Sequence, residues 1–122
     1  MKIIVQHAKR NRKTGDIEGY TDVAEVNATD IAPFATTIEC LEYAYRWTNN
    51  VMGSWSIKKT SFPDPANGDR VNGDYNEDVK VLAPRADGMG QRSTMMGDRM
   101  VVDGQKYEVA IVGFKKVEME TS

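Results

Sequence analysis

The pattern of this 122-residue chain predicts an α+β fold, with an antiparallel sheet packed against one main α-helix at about 36–49. The sheet is expected to combine an N-terminal hairpin with a C-terminal three-stranded meander. Three observations carry that reading. A β-branched alternating run opens the chain, a capped amphipathic segment occupies its middle, and Asp103-Gly104 separates two alternating runs near its end.

In the opening run, Lys2 to Ala8, the residues Ile3, Val5 and His7 share one face and Ile4 and Gln6 the other. This is a strand with one face better buried. Lys9 to Gly19 is polar and carries the turn pair Gly15-Asp16, after which Tyr20 to Ala28 resumes strand character, so a long-looped hairpin joins the two.

Thr36-Thr37-Ile38-Glu39 fits a capping box, in which the first hydroxyl and the last carboxylate satisfy each other's free amide donors. Ile38, Leu41, Ala44, Tyr45 and Thr48 follow at helical spacing, and Cys40 and Trp47 broaden the stripe. Glu42 and Arg46 stand four apart on the outer side, and Asn49-Asn50 ends the helix.

Val51 to Ile57, around Trp55, reads as a short extended piece. Lys58 to Asp78 has two prolines, two Asn-Gly pairs and few large apolar residues, which marks a loop that is either functional or mobile. A strand is expected at Asp78 to Leu82, then a second turn-rich loop to Gln91. Ser93 to Gly97 reads as one capped helical turn whose methionines, Met95 and Met96, fill the core. The Asp103-Gly104 turn opposes Val102 to Gln105, Met100 to Tyr107 and Arg99 to Glu108. That register puts Met100, Val102, Tyr107 and Val109 on one face and a charge pair on the other. Gly113-Phe114 breaks the alternation as a bend before a last strand carrying Val117 and Met119. Leu41, Tyr45, Met100, Tyr107 and Val109 are expected to pack together between helix and sheet.

Composition points to a single domain over 1–122, with 40% hydrophobic and 28% charged residues and a net charge of −2. No strong basic excess advertises nucleic acid. The lone Cys40 cannot form an internal bridge, which indicates a reducing, cytoplasmic setting, and neither a signal peptide nor an apolar run of membrane-spanning length is visible.

Catalytic and metal chemistry find little support. His7 is the sole histidine and has no nucleophile or acid at motif spacing, so no catalytic residue, metal or cofactor is expected. Cys40 lies on the apolar side of the helix as a small core residue. Asp74-Tyr-Asn76-Glu-Asp78 opens like a calcium loop, but Val79 stands where glycine is needed and Arg85 where glutamate is needed. Gly88, Gly90, Arg92, Ser93 and Thr94 hold the ingredients of an anion or phosphate site, namely free amides, hydroxyls and a guanidinium, without a P-loop ending. Lys9, Arg10, Arg12 and Lys13 form a basic cluster at the hairpin tip that could track phosphates of a nucleic acid. Trp55 is a candidate interface anchor.

Tyr45-Arg-Trp-Thr48-Asn49-Asn50, Ser54-Trp55, Arg92-Ser-Thr94 with Gly97-Asp98, Asp103-Gly104 with Tyr107, and Gly113-Phe114 form a wider pattern. It resembles that of small proteins of bacteriophages and other mobile elements, and more distantly the YodL-like domain family. The chain departs from it at Met95-Met96, where Ser-Val is usual, and at Arg99-Met100, where paired Val or Ile is usual. The resemblance implies a phage or mobile-element origin and brings no catalytic residues with it. The expected function is a small non-enzymatic binding or modulator protein, acting in the host cytoplasm on a host protein or nucleic-acid machinery. A phosphate-ligand module and a nucleic-acid binder are the alternatives; no membrane partner is expected, and a homo-oligomer is left open.

Overall fold

A computed structural model describes residues 2–28, 36–64, 66 and 68–117. The elements in chain order are β1 (Lys2–Arg10), β2 (Ile17–Asn27), α1 (Thr37–Trp47), β3 (Ser61–Asp64), β4 (Gly68–Val71), β5 (Val79–Val81), β6 (Arg99–Val102), β7 (Gln105–Val109) and β8 (Phe114–Lys116). Six of the strands form one antiparallel sheet in the order β5-β2-β1-β6-β7-β8, and β3 pairs with β4 in a separate hairpin. The N-terminal hairpin and the C-terminal meander are therefore one sheet, joined where Ile3 opposes Val102 and Val5 opposes Met100. This is the α+β arrangement that the sequence predicts.

Period-two alternation decides which face is buried. Ile3 and Val5 of β1, Val26 of β2, Val79 of β5, and Met100 and Val102 of β6 are all buried on the inner face. The helix covers them with Cys40, Leu41 and Ala44. On the outer face, cross-strand rows run Lys80–Glu25–Ile4–Val101–Lys106 and Asp22–Gln6–Arg99–Glu108–Lys115. Charge of both signs along these rows suits a solvated face. Arg99 opposes Glu108 in the expected register, but its guanidinium lies over the Tyr20 ring at 4.3 Å.

The helix begins as the sequence predicts. The Glu39 amide donates to the Thr36 hydroxyl, and the Glu39 carboxylate accepts from the Thr36 amide. The stripe is narrower than its spacing suggests. Ile38 is 61% exposed and Tyr45 sits at the margin against Phe114. The sheet reaches only the Cys40–Leu41–Ala44–Thr48 side, so Tyr45 does not join the central core.

Several local expectations are corrected. Residues 51–57 form bends, not an extended piece, because the amides of Val51, Met52 and Ser54 bond side chains of Asp74 and Asn72, and those of Trp55 and Ile57 bond Asn50 and Ser54, in place of a neighbouring strand. Within 58–78 lies the β3–β4 hairpin, so much of that stretch is ordered structure. Residues 93–97 are not a helical turn. The Asp98 amide donates to the Met95 carbonyl with Gly97 at φ +94°, which is a reverse turn, and Met95 and Met96 face outward. The C-terminal bend occupies 110–113 and β8 starts at Phe114; Met119 lies outside the described residues.

Leu41→Ala should lower the free energy of unfolding by about 3 kcal/mol, because Leu41 is completely buried between helix and sheet. Ile38→Ala, on the exposed margin, should change it by less than about 1 kcal/mol. Urea unfolding of both variants checks the narrowed stripe.

Candidate functional site

The richest polar cluster forms where the end of α1, the inner face of β1 and the loop 91–98 converge. Thr48 caps the helix C-terminus and donates its hydroxyl proton to the Ala44 carbonyl at 2.7 Å. The backbone of Thr94 then bonds Thr48, its amide donating to the Thr48 carbonyl at 2.9 Å. Below them Trp55 is completely buried, its indole Nε1 donating to the Arg92 carbonyl at 2.9 Å. Asn50 locks the same corner. Its amide donates to the Ser93 hydroxyl, its Nδ2 to the Gln91 carbonyl, and its Oδ1 accepts the Trp55 amide.

A chain of hydrogen bonds with one direction runs through this corner. His7 Nε2 lies 3.0 Å from Thr94 Oγ1, which donates to Thr48 Oγ1 at 2.8 Å, which in turn donates to Ala44. With the Thr94 proton directed onward, its oxygen accepts from His7, so the imidazole proton belongs on Nε2. The same nitrogen is 4.0 Å from Asp98 Oδ2. A catalytic triad needs the acid on one ring nitrogen and the nucleophile on the other. Here one nitrogen faces both, and Thr94 is 1% exposed. The arrangement holds strands together and does not activate a hydroxyl.

Asp98 is the second node. Its Oδ1 accepts the Ala8 amide at 2.8 Å and Arg92 Nη2 at 2.7 Å, while Oδ2 accepts the Met95 amide at 2.8 Å and Arg92 Nη1 at 2.6 Å. This is a two-pronged guanidinium–carboxylate pair with two backbone donors added. Burial works against the charge, but the Arg92 bonds and the two amides outweigh it and hold the carboxyl below its ordinary range. Burial lowers the neighbouring His7 from 6.5 to about 4, with Asp98 opposing that shift and Arg92 adding to it.

A third node fixes the other end of the helix loop. Buried Asp74 accepts the amides of Val51 and Met52 on Oδ2, both at 2.8 Å, and Arg46 on Oδ1 at 3.1 Å. Asn72 Nδ2 donates to the carbonyls of Ser54, Ile57 and Lys59, while its Oδ1 accepts the amides of Ser54 and Asp74. Asp74 therefore serves the backbone in place of the calcium-loop role its spacing suggested.

The residues proposed for an anion site separate into two groups. Gly88 lies at φ +76° in a turn beside Arg85, and Gly90 presses on Ser54 and Ser56, where a Cβ would meet the Ser54 hydroxyl at 2.6 Å. Gly88 borders a cleft of about 160 Å³ with Ser56, Arg85 and Gln91. Arg92, Ser93 and Thr94 face the other way, into the corner, with their polar groups already bonded to Asp98, Asn50, His7 and Thr48. No open cradle joins the two groups. Trp55 as an interface anchor is likewise corrected, since no part of its side chain reaches the surface. Lys9, Arg10, Arg12 and Lys13 are all exposed, with Arg10 folded back so that Nη1 donates to the Gly15 carbonyl.

Sequence reasoning missed the convergence of His7, Thr48 and Asp98, and the backbone-holding roles of Asn72 and Asp74. Separations of 41 to 91 positions hide the first set, as no local spacing records them. The second set left a trace in the Asn72-Gly73-Asp74 turn chemistry. Compared with known proteins, the chain matches no family model, no curated protein and no solved structure.

Two outcomes follow from this geometry. Asp98→Asn should destabilise the fold by about 3 kcal/mol, because it leaves the Arg92 guanidinium and at least one amide without their acceptor; chemical denaturation measures it. The lowered His7 means that the folded protein binds fewer protons than the unfolded chain between pH 6.5 and about 4. Stability from this group is complete above pH 6.5 and declines by up to about 3 kcal/mol as pH falls to about 4. His7→Gln should remove that slope, and urea midpoints across the window test it.

Proposed function

We propose that this chain is a small non-enzymatic binding or modulator protein of phage type, acting on a host protein or on nucleic-acid machinery in the host cytoplasm. The observation that carries the reading is an inversion of the usual placement of polar and apolar groups. His7, Thr94, Asp98 and Asp74 are buried and committed to hydrogen bonds within the fold, while Val51, Met52 and Val71 stand 62%, 60% and 73% exposed. Val51 and Met52 border an open cleft of about 390 Å³ with Arg70 at its edge. Their amides are fastened to the buried Asp74 carboxylate, so the apolar pair is presented on a rigid base. Clustered exposed apolar side chains with a polar margin mark protein-binding surfaces, and prior rigidity reduces the entropy lost on binding. The phage-type element of this reading rests on the resemblance of Tyr45–Trp55 and Arg92–Phe114.

A second reading, nucleic-acid binding, draws on the exposure of Lys9, Arg12 and Lys13 at the tip between β1 and β2. No helix among the described residues is long and apolar enough to cross a membrane.

The two readings separate in a pull-down from host lysate, performed with and without nuclease and across a salt titration. Met52→Asp with Val71→Asp should abolish recovery of the partner, and nuclease should leave wild-type recovery unchanged. Recovery that survives those substitutions but disappears with nuclease, or with Arg12→Glu and Lys13→Glu, would reject the protein-docking reading in favour of nucleic acid.

A further inference from the structure

A different surface, sharing no residue with the Val51–Met52 cleft, carries its own assignment. Between β7 and β8 the chain makes a tight turn, closed by the Ala110 amide donating to the Gly113 carbonyl at 3.0 Å. Gly113 takes a positive φ of 69°, and Ile111 and Val112 stand at the tip, 87% and 89% exposed. Two β-branched side chains at a turn tip gain nothing from the fold itself, since turns favour small and polar residues there. They form an apolar knob.

The knob stands between two hollows. One, of about 580 Å³, has Ile17, Met96, Val109 and Ala110 along its wall, and Ile111 and Val112 of the knob itself form one side of it, so a partner's knob would lie there against this copy's own. The other, of about 260 Å³, lies against Tyr45 and Phe114. The larger hollow also carries one cation and one anion, Arg10 and Glu108. Arg10 is held in place there, with Nη1 bonded to the Gly15 carbonyl and Nη2 close over Gly97. A projection, the recess it would fill, and a pair of opposite charges are thus all present on one chain.

From this juxtaposition we infer that the chain forms a two-fold homodimer, in which the Ile111–Val112 turn of each copy enters the hollow beside Arg10 and Glu108 of the other. Two-fold symmetry is the arrangement such a surface favours. In an isologous interface each contact is made twice, so Arg10 of one copy meets Glu108 of the second and the reverse holds equally. Charge complementarity therefore selects a second copy over an arbitrary apolar partner. Pairing of the β8 edges is the competing geometry, and it is disfavoured because Lys115 and Lys116 of the two copies would be brought together. A stable interface removes roughly 800 Å² from each partner, about a tenth of the 8138 Å² surface of this chain.

The experiment is sedimentation velocity on the full chain over a concentration series, with circular dichroism and thermal melting to verify folding. The wild type should sediment as a dimer. Ile111→Asp combined with Val112→Asp should return it to monomer with its melting behaviour retained. Arg10→Glu alone and Glu108→Arg alone should each weaken association at least tenfold, because each places like charges together twice. The double exchange, Arg10→Glu with Glu108→Arg, should restore the dimer, a recovery that damage to the fold would not produce. A wild type that stays monomeric throughout the series would overturn the inference and leave the hollow to another protein. A dimer indifferent to the turn substitutions, or a double exchange that fails to recover, would overturn it equally. None of these outcomes bears on Met52 and Val71, so dimer formation and the proposed partner binding fail or succeed separately.

Discussion

The fold depends most on one carboxylate. Asp98 gathers a strand amide from β1, a turn amide from its own loop and both prongs of Arg92, and in doing so it joins segments about ninety positions apart. Its backbone extends the connection, because the Val109 amide donates to the Asp98 carbonyl and the Gly97 amide to Val109. The start of the chain, the loop before β6 and the end of β7 thus meet at one residue. A buried carboxylate with this many donors is stable as an anion, and it forces the surrounding backbone into the geometry that supplies them.

His7 and Trp55 owe their places to that corner. The imidazole and indole rings meet edge to face at 6.1 Å, filling the space beneath the Thr48–Thr94 pair. Protonation of His7 would add charge to a largely buried imidazole, and since Nε2 already donates to Thr94 the new proton would fall on Nδ1, not on the nitrogen nearest Asp98. The corner is consequently neutral on one side and ion-paired on the other. Buried polar networks of this kind specify a single arrangement more than they add net stability. His7, Thr94 and Asp98 face inward, while the exposed apolar side chains include those at 51–52, 71 and 111–112.

Much of the architecture was legible. The capping box at Thr36–Glu39, the inward face of β1, and the register of the β6–β7 hairpin all follow from local patterns, and each has a local physical cause. The misreadings share a cause too. Ile38 and Tyr45 match the helical period, yet the sheet is not wide enough at that side to cover them. Met95 and Met96 look like core filler, but the reverse turn at Gly97 points them outward. Trp55 looked available to a partner, and its indole is instead satisfied by the Arg92 carbonyl. The anion-site reading of Gly88 to Thr94 joined residues that are adjacent in sequence but face opposite sides of the loop.

By itself the sequence determined the main helix, the strands at the two ends of the chain and the register of the β6–β7 hairpin, because capping, alternation and turn chemistry act over a few residues. It also determined that the sheet would be antiparallel with one helix against it. Tertiary structure alone decided that β1 would lie beside β6 and fuse hairpin and meander into one sheet. It also decided that His7, Thr48, Thr94 and Asp98 would meet, and which apolar residues would remain outside. Those outcomes depend on contacts between distant segments and on how much surface each element can cover, and neither quantity is written in the spacing of residues along the chain.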